Sequence, residues 1–302
     1  RRRTVQLQHF RVTEERRLTL PGLLCLAAAV VLLANNYPFR RPALSPYDGR
    51  LGLRPHQAVV DFIGERQGVA AWSLPEARDH QVVARGPFRA VIRTEPHPDA
   101  LTETDRFAAF GGIYEDTTTF TQAGAGWDLL LQNYLAGRRS APAWAIGEAA
   151  YHAEEHAGKQ FGMVQTVLCT DRKEPAALLR AMREGRMYAL RRTPDAAYVL
   201  SQFQAVLPGK PPAEAGGRLA AAARERPEIH AVIGSATGKP LPVEVRLIRS
   251  GRVVHQARAT TPLTLRYQDD PVQTGARLVY RLEAQGPAGQ ILSNPVFVLG
   301  GA

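Results

Sequence analysis

The sequence predicts an α/β domain with a mostly parallel sheet, followed by a small all-β sandwich and preceded by one transmembrane helix. Three observations predict this. Between residues 56 and 190, apolar runs of strand length alternate with helical patterns, the signature of βα units. Beyond residue 228 only short alternating runs remain, separated by turn signals, as in a sandwich. Residues 18–39 form a run of 22 positions without a charge, close to the ~20 that span a bilayer.

The uncharged run has a wholly apolar centre at 22–34, with Arg16-Arg17 and Arg40-Arg41 on its flanks and Tyr37 near one edge. A buried strand pair or core helix is the soluble alternative. A cleaved signal peptide is a third, although Asn35-Asn36 makes a poor cleavage site. Residues 1–17 carry six Arg against two Glu. The positive-inside rule then sets a single-pass topology with the N-terminus inside and the main domains outside the cytoplasm. Starting at Arg1-Arg2-Arg3 without Met, the chain reads as a fragment or a trimmed chain.

After a basic segment at 1–17 and the spanning run at 18–39, residues 40–54 are rich in Pro and Gly and read as a stalk opening the α/β domain, 40–206. Apolar Val59, Val60, Phe62 and Ile63 give 56–66 the spacing of an amphipathic helix. Residues 69–73 and 88–93 read as strands, 99–107 as a helix, and 111–115 as a strand. WDLLLQNYL at 127–135 is a helix closed by Gly137. Strands follow at 142–146 and 163–170. A helix at 174–184 has Pro175 near its start and Gly185 at its end, and 187–190 is a further strand. Four Pro and three Gly make 207–227 a linker. The sandwich domain, 228–302, has strands at 243–249, 253–257, 263–267, 278–283 and 291–298. Its inward positions include Val245, Leu247, Val254, Leu265, Tyr280, Leu282 and Phe297.

A net charge of +10 permits nucleic acid, membrane or acidic partners. The arginines are dispersed and not interleaved with aromatics, so no nucleic-acid partner is expected. Cys25 and Cys169 lie in an apolar run and a strand and do not form a pair on which the fold depends.

The densest polar stretch is 147–156, GEAAYHAEEH, directly after a strand. Glu148, His152 and His156 are spaced four apart, which on a helix puts them on one face as metal ligands require. The alternative is a solvated charged turn. HAEEH also fits the inverted zinc-peptidase pattern, but Gly158 interrupts the helix that this motif needs. Trp72 to Arg78 and Gly111 to Glu115 are strand ends carrying carboxylates, and Gly124-Ala125-Gly126 could cradle a phosphate. Ordinary loops and turns are the alternative for each. Walker, GxGxxG and GxSxG motifs are missing from the sequence.

The order of these pieces resembles the C-terminal half of membrane-associated PHP-domain proteins, the polymerase and histidinol phosphatase superfamily. The matching stretches are NNYPF at 35–39, LGLRPHQAVVDFIGERQGVAAWSLPEA at 51–77, FGGIYED at 110–116, GWDLLLQNYLAGRRSAPAWAIGE at 126–148 and LLRAMREGRMYAL at 178–190. VRLIRSGRVV and SNPVFV match in the last domain. The resemblance implies part of a distorted β/α barrel, a divalent metal (Zn, Mn or Mg), and hydrolysis of a phosphoester substrate by metal-bound hydroxide. It also implies Glu148 and His152 as metal ligands; Glu115, Glu155 and His156 are further candidates from the residues themselves, not from the resemblance. Leu74 stands where the resembling stretch has a ligand His, and Ala150 where it has Asp. The H-x-H strand that opens the family is missing from this chain. Two ligands hold a metal weakly. The expectation is therefore a membrane-anchored phosphoesterase-like domain with impaired catalysis, its alternative a non-catalytic membrane-anchored structural or binding module.

Overall fold

The computed structural model describes residues 2–7, 10–15, 19–36, 39–40, 43–46, 48–114, 118–151, 153 and 160–301. The chain forms two compact units, residues 1–55 and 56–302. The first holds an antiparallel hairpin of β1 (Arg2–Leu7) and β2 (Phe10–Glu15), with Arg2 opposite Glu15, and helix α1 (Thr19–Ala34). Sixteen residues at 1.5 Å rise make about 24 Å, short of the ~30 Å hydrocarbon core. Among the described residues no helix is long and apolar enough to cross a membrane, which corrects the predicted transmembrane helix. The uncharged run is longer than the helix because Asn35 and Asn36 close it. The Asn36 side-chain amide donates to the Leu32 carbonyl at 2.7 Å, a local bond that competes with continuing the helix.

Helix α2 (Arg54–Glu65) begins two residues before the second unit and turns Val60 and Ile63 into its core. Next come β3 (Ala71–Trp72), β4 (Asp79–Arg85), β5 (Phe88–Thr94), α3 (Asp99–Glu103), β6 (Ala109–Ile113), α4 (Gly126–Leu135), β7 (Trp144–Gly147), β8 (Val164–Leu168), α5 (Pro175–Glu184) and β9 (Met187–Arg192). Ten strands follow: β10 (Tyr198–Val206), β11 (Ala213–Glu214), β12 (Arg218–Ala221), β13 (Glu228–Ser235), β14 (Pro242–Arg249), β15 (Arg252–Thr260), β16 (Leu263–Gln268), β17 (Arg277–Gly286), β18 (Gly289–Ser293) and β19 (Val296–Gly300).

Among the described residues, parallel pairing is confined to a three-stranded sheet, β3-β6-β7, and to β12 against β19. Every other pair among the described residues is antiparallel, and strand residues outnumber helical ones about two to one. No barrel closes among the described residues. The predicted α/β barrel is thus corrected to a strand-dominated fold, and the physical reason is local. β8, α5 and β9 look like a βαβ unit in sequence. Gly185, in the left-handed region at φ 71°, instead turns the chain straight back, and the Cys169 amide donates to the Arg186 carbonyl at 2.8 Å. β9 therefore runs antiparallel to β8. A Cβ on Gly185 would meet the Trp144 ring, so packing and backbone both demand glycine there.

β8 and β9 continue into a sheet ordered β12-β19-β17-β18-β9-β8, with β14 and β15 attached through β17. A four-stranded sheet, β11-β10-β13-β16, packs over it. The small independent sandwich predicted from residue 228 onward is corrected accordingly: the large sheet is shared with β8 and β9, from residues 164–192. Residues 207–227, read as a linker, hold β11 and β12. The predicted inward positions Val245, Leu247, Leu265, Tyr280, Leu282 and Phe297 are buried, and Val254 is partly so. Alternation along strands with one covered face makes such positions readable.

Buried Asn294 joins the parallel sheet to the large one. Its side chain accepts from the Ala145 amide at 2.8 Å and donates to the carbonyls of Ala145 and Met187 at 3.0 and 3.1 Å. Replacing it by Ala strands three buried backbone groups, and urea denaturation should show a loss of about 3 kcal/mol. Asn294→Asp, which turns an acceptor onto two carbonyls, should be at least as damaging at neutral pH.

Asp269 is a second hub. Burial opposes its ionisation, but hydrogen bonds from Arg249, Tyr280 and the Asp270 amide hold its carboxyl below the usual range. A lowered native pKa gives stability that is complete above the unfolded pKa and is lost as pH falls through the native one. Acid titration of stability should therefore show a loss below about pH 4, and Asp269→Asn should flatten it while lowering stability at neutral pH.

Candidate functional site

The parallel sheet positions the candidate site at its carboxyl end, where loops leave β3, β6 and β7, the usual place for sites in such sheets. β6 is buried over its whole length, so its neighbours' loops converge above it. Ser73 and Leu74 follow β3, and Glu148 follows β7. The Glu148 carboxylate accepts from the Ser73 hydroxyl on one oxygen and from the Leu74 amide, at 2.9 Å, on the other. Leu74 is held at φ 44°, a conformation that costs a non-glycine residue about 1–3 kcal/mol and needs fixed partners. Gly111 on β6 lies beneath, where any Cβ would collide with the Glu148 carboxylate.

Glu76 is likewise engaged. Its carboxylate accepts from the amides of Thr119 and Phe120 and from the Thr119 hydroxyl, while its own amide donates to the Tyr114 hydroxyl at 2.8 Å. The two strand-end loops are stapled together by this residue. Beside them the Trp72 ring lies between His56 and His97, with centroids 5.5 and 5.7 Å away, and its indole donates to Thr104 at 3.0 Å.

Of the sequence-predicted metal ligands, Glu148 is at this end of the sheet. Glu115, His152, Glu155 and His156 lie outside the described residues. Among the described residues no three His, Cys, Asp or Glu side chains come together. Each Glu148 oxygen accepts from a protein donor, and the Leu74 side chain offers only hydrocarbon. The Gly124-Ala125-Gly126 turn is no open phosphate cradle either. The Gly124 amide donates to Asp128 at 2.8 Å and the Ala125 amide to the Gln122 carbonyl at 3.0 Å.

A feature that the sequence reading missed lies on the other side of β6. Arg281 on β17 is buried and makes a two-pronged pair with Asp128 on α4, both contacts at 2.7 Å. It also pairs with Glu283 at 2.7 Å, and Glu283 pairs with Arg246 at 2.6 Å. A polar cleft of about 230 Å³ opens beside Glu283 and Arg246, reaching Ile113 and Tyr114 at the end of β6. The available signal was a charge inside LVYRLEA, a run too apolar on both faces to leave an arginine unpaired.

The chain matches no family model and no curated protein sequence.

If Glu148 is a structural staple, Glu148→Ala should lower stability by about 1–3 kcal/mol in metal-free buffer, because the Leu74 amide loses its acceptor. Thermal and urea unfolding measure this. An unbound metal ligand would instead leave stability unchanged or improved on removal.

Proposed function

We propose that this chain acts as a non-catalytic structural or binding module. The observation that carries the reading is the closed state of Glu148, whose two oxygens are held by Ser73 and Leu74. A hydrolytic metal centre needs carboxylates and imidazoles presented to the ion and a position left open for water. Here a carboxylate at the strand end serves the backbone, and leucine occupies the neighbouring position. The arrangement suits a rigid platform: loops fixed by Glu76 and Glu148 over a buried sheet.

A second reading, a PHP-like metal-dependent phosphoesterase, is favoured by one observation. Ser73-Leu74 and Glu148 come from two of the stretches that carry the resemblance, and they meet at one sheet end. Hydrolysis of a generic aryl phosphodiester with added Mn²⁺ or Zn²⁺ separates the readings. The module reading predicts no turnover above the metal-only control. Turnover that disappears in His152→Ala would establish the phosphoesterase instead.

A further inference from the structure

The hairpin of β4 and β5 stands out from the second unit. No other strand pairs with it among the described residues, and every residue of β5 is exposed. An isolated two-stranded ribbon is marginal in water. This one nevertheless exposes Phe88 at 77%, Val91 at 59%, Ile92 at 49% and Val82 at 43%. The register pairs Val83 with Ala90, Gln81 with Ile92 and Val82 with Val91. Since side chains alternate across a strand, Val83, Phe88, Ala90 and Ile92 share one face with Asp79, Gln81 and Thr94. His80, Arg89 and Arg93 share the other with Val82 and Val91. Residues 79–95 contain three arginines against Asp79 and Glu95, and the exposed Glu95 carboxylate pairs with Arg93. The base of the hairpin is fixed, since the His97 amide donates to the Pro75 carbonyl at 2.7 Å and the Ala77 amide to the Leu74 carbonyl at 3.1 Å.

We propose that this hairpin is a docking arm for an acidic phospholipid surface. Exposed apolar side chains on both faces, with Arg89 beside them near the turn, are the combination that an element lying in a bilayer interface uses. The apolar side chains enter the acyl boundary, and Arg89 and Arg93 reach phosphate groups. A second copy adding along β5 fits poorly. Antiparallel pairing about Val91 sets Arg89 of one copy opposite Arg93 of the other, a destabilising like-charge pair. The inference does not depend on the function proposed above, because it uses neither Glu148 nor any metal.

The test uses the full chain with Cys25→Ser, Cys169→Ser and Phe88→Cys, labelled at position 88 with a polarity-sensitive fluorophore. A parallel sample carries the label at Val253→Cys, an exposed site on β15. Vesicles of phosphatidylcholine mixed with phosphatidylglycerol should shift the emission at 88 to the blue and leave that at 253 unchanged. Pure phosphatidylcholine should bind at least fivefold more weakly by this signal. The double variant Arg89→Glu, Arg93→Glu should weaken the response to mixed vesicles roughly tenfold or more, with its circular dichroism unchanged. The proposal is overturned by an unshifted label at 88 or by equal shifts on neutral and acidic vesicles. A lipid-free shift that grows with protein concentration would also overturn it and point to a second copy.

Discussion

The ion pair between Arg281 and Asp128 is the constraint on which the second unit depends. Both side chains are buried, at 1% and 2% exposure. The guanidinium lies 4.7 Å above the ring of Trp127, itself fully buried on α4. Burial opposes the charge on Arg281, but Asp128 and Glu283 outweigh it and hold its pKa above the usual arginine value. Taking such charges out of water costs several kcal/mol per ion, so the arrangement is tolerable only with its partners in place. The consequence is positional. α4, which covers the parallel sheet, can sit against β17 in one way, and β17 is the strand from which β14, β18 and β19 all extend.

Asn294 makes a matching connection from the far side of the parallel sheet, tying Ala145 on β7 and Met187 on β9. Between these two polar joints lies a single apolar layer that includes Phe110, Trp127, Leu131, Trp144, Met187, Val279 and Phe297. Side chains from residue 110 and residue 297 thus share one core. The apolar layer drives association without direction, whereas the two polar joints fix its geometry.

Much of this was legible in the sequence at the level of elements. WDLLLQNYL gave α4, EPAALLRAMRE gave α5, and the alternation after residue 242 gave β14 through β17. Pairing was less legible, because periodicity marks a strand but not its neighbour. Residues 198–206 form the nine-residue β10, yet their mixed lining of Ser201, Gln202 and Gln204 hid them. β4 was lost because both of its faces are largely exposed, which leaves no buried face to impose alternation. The left-handed turn at Gly185 decided the direction of β9, and a glycine at a helix end does not announce which way the chain leaves. At the candidate site, the position of Glu148 after a strand was readable. Its engagement by Ser73 and Leu74 was not, since those partners lie 75 and 74 residues away.

A double-mutant cycle on Asp128 and Arg281, followed by equilibrium urea denaturation, tests the central claim most directly. With Asp128→Asn and Arg281→Met, each single change should cost about 3–5 kcal/mol by taking the main partner from a buried charge. The double variant should cost little more than either single one, giving a coupling of roughly 3 kcal/mol or more. Single effects that add to within about 0.5 kcal/mol would mean that the two residues act independently, and would contradict the view that this pair sets how the helical and strand layers fit.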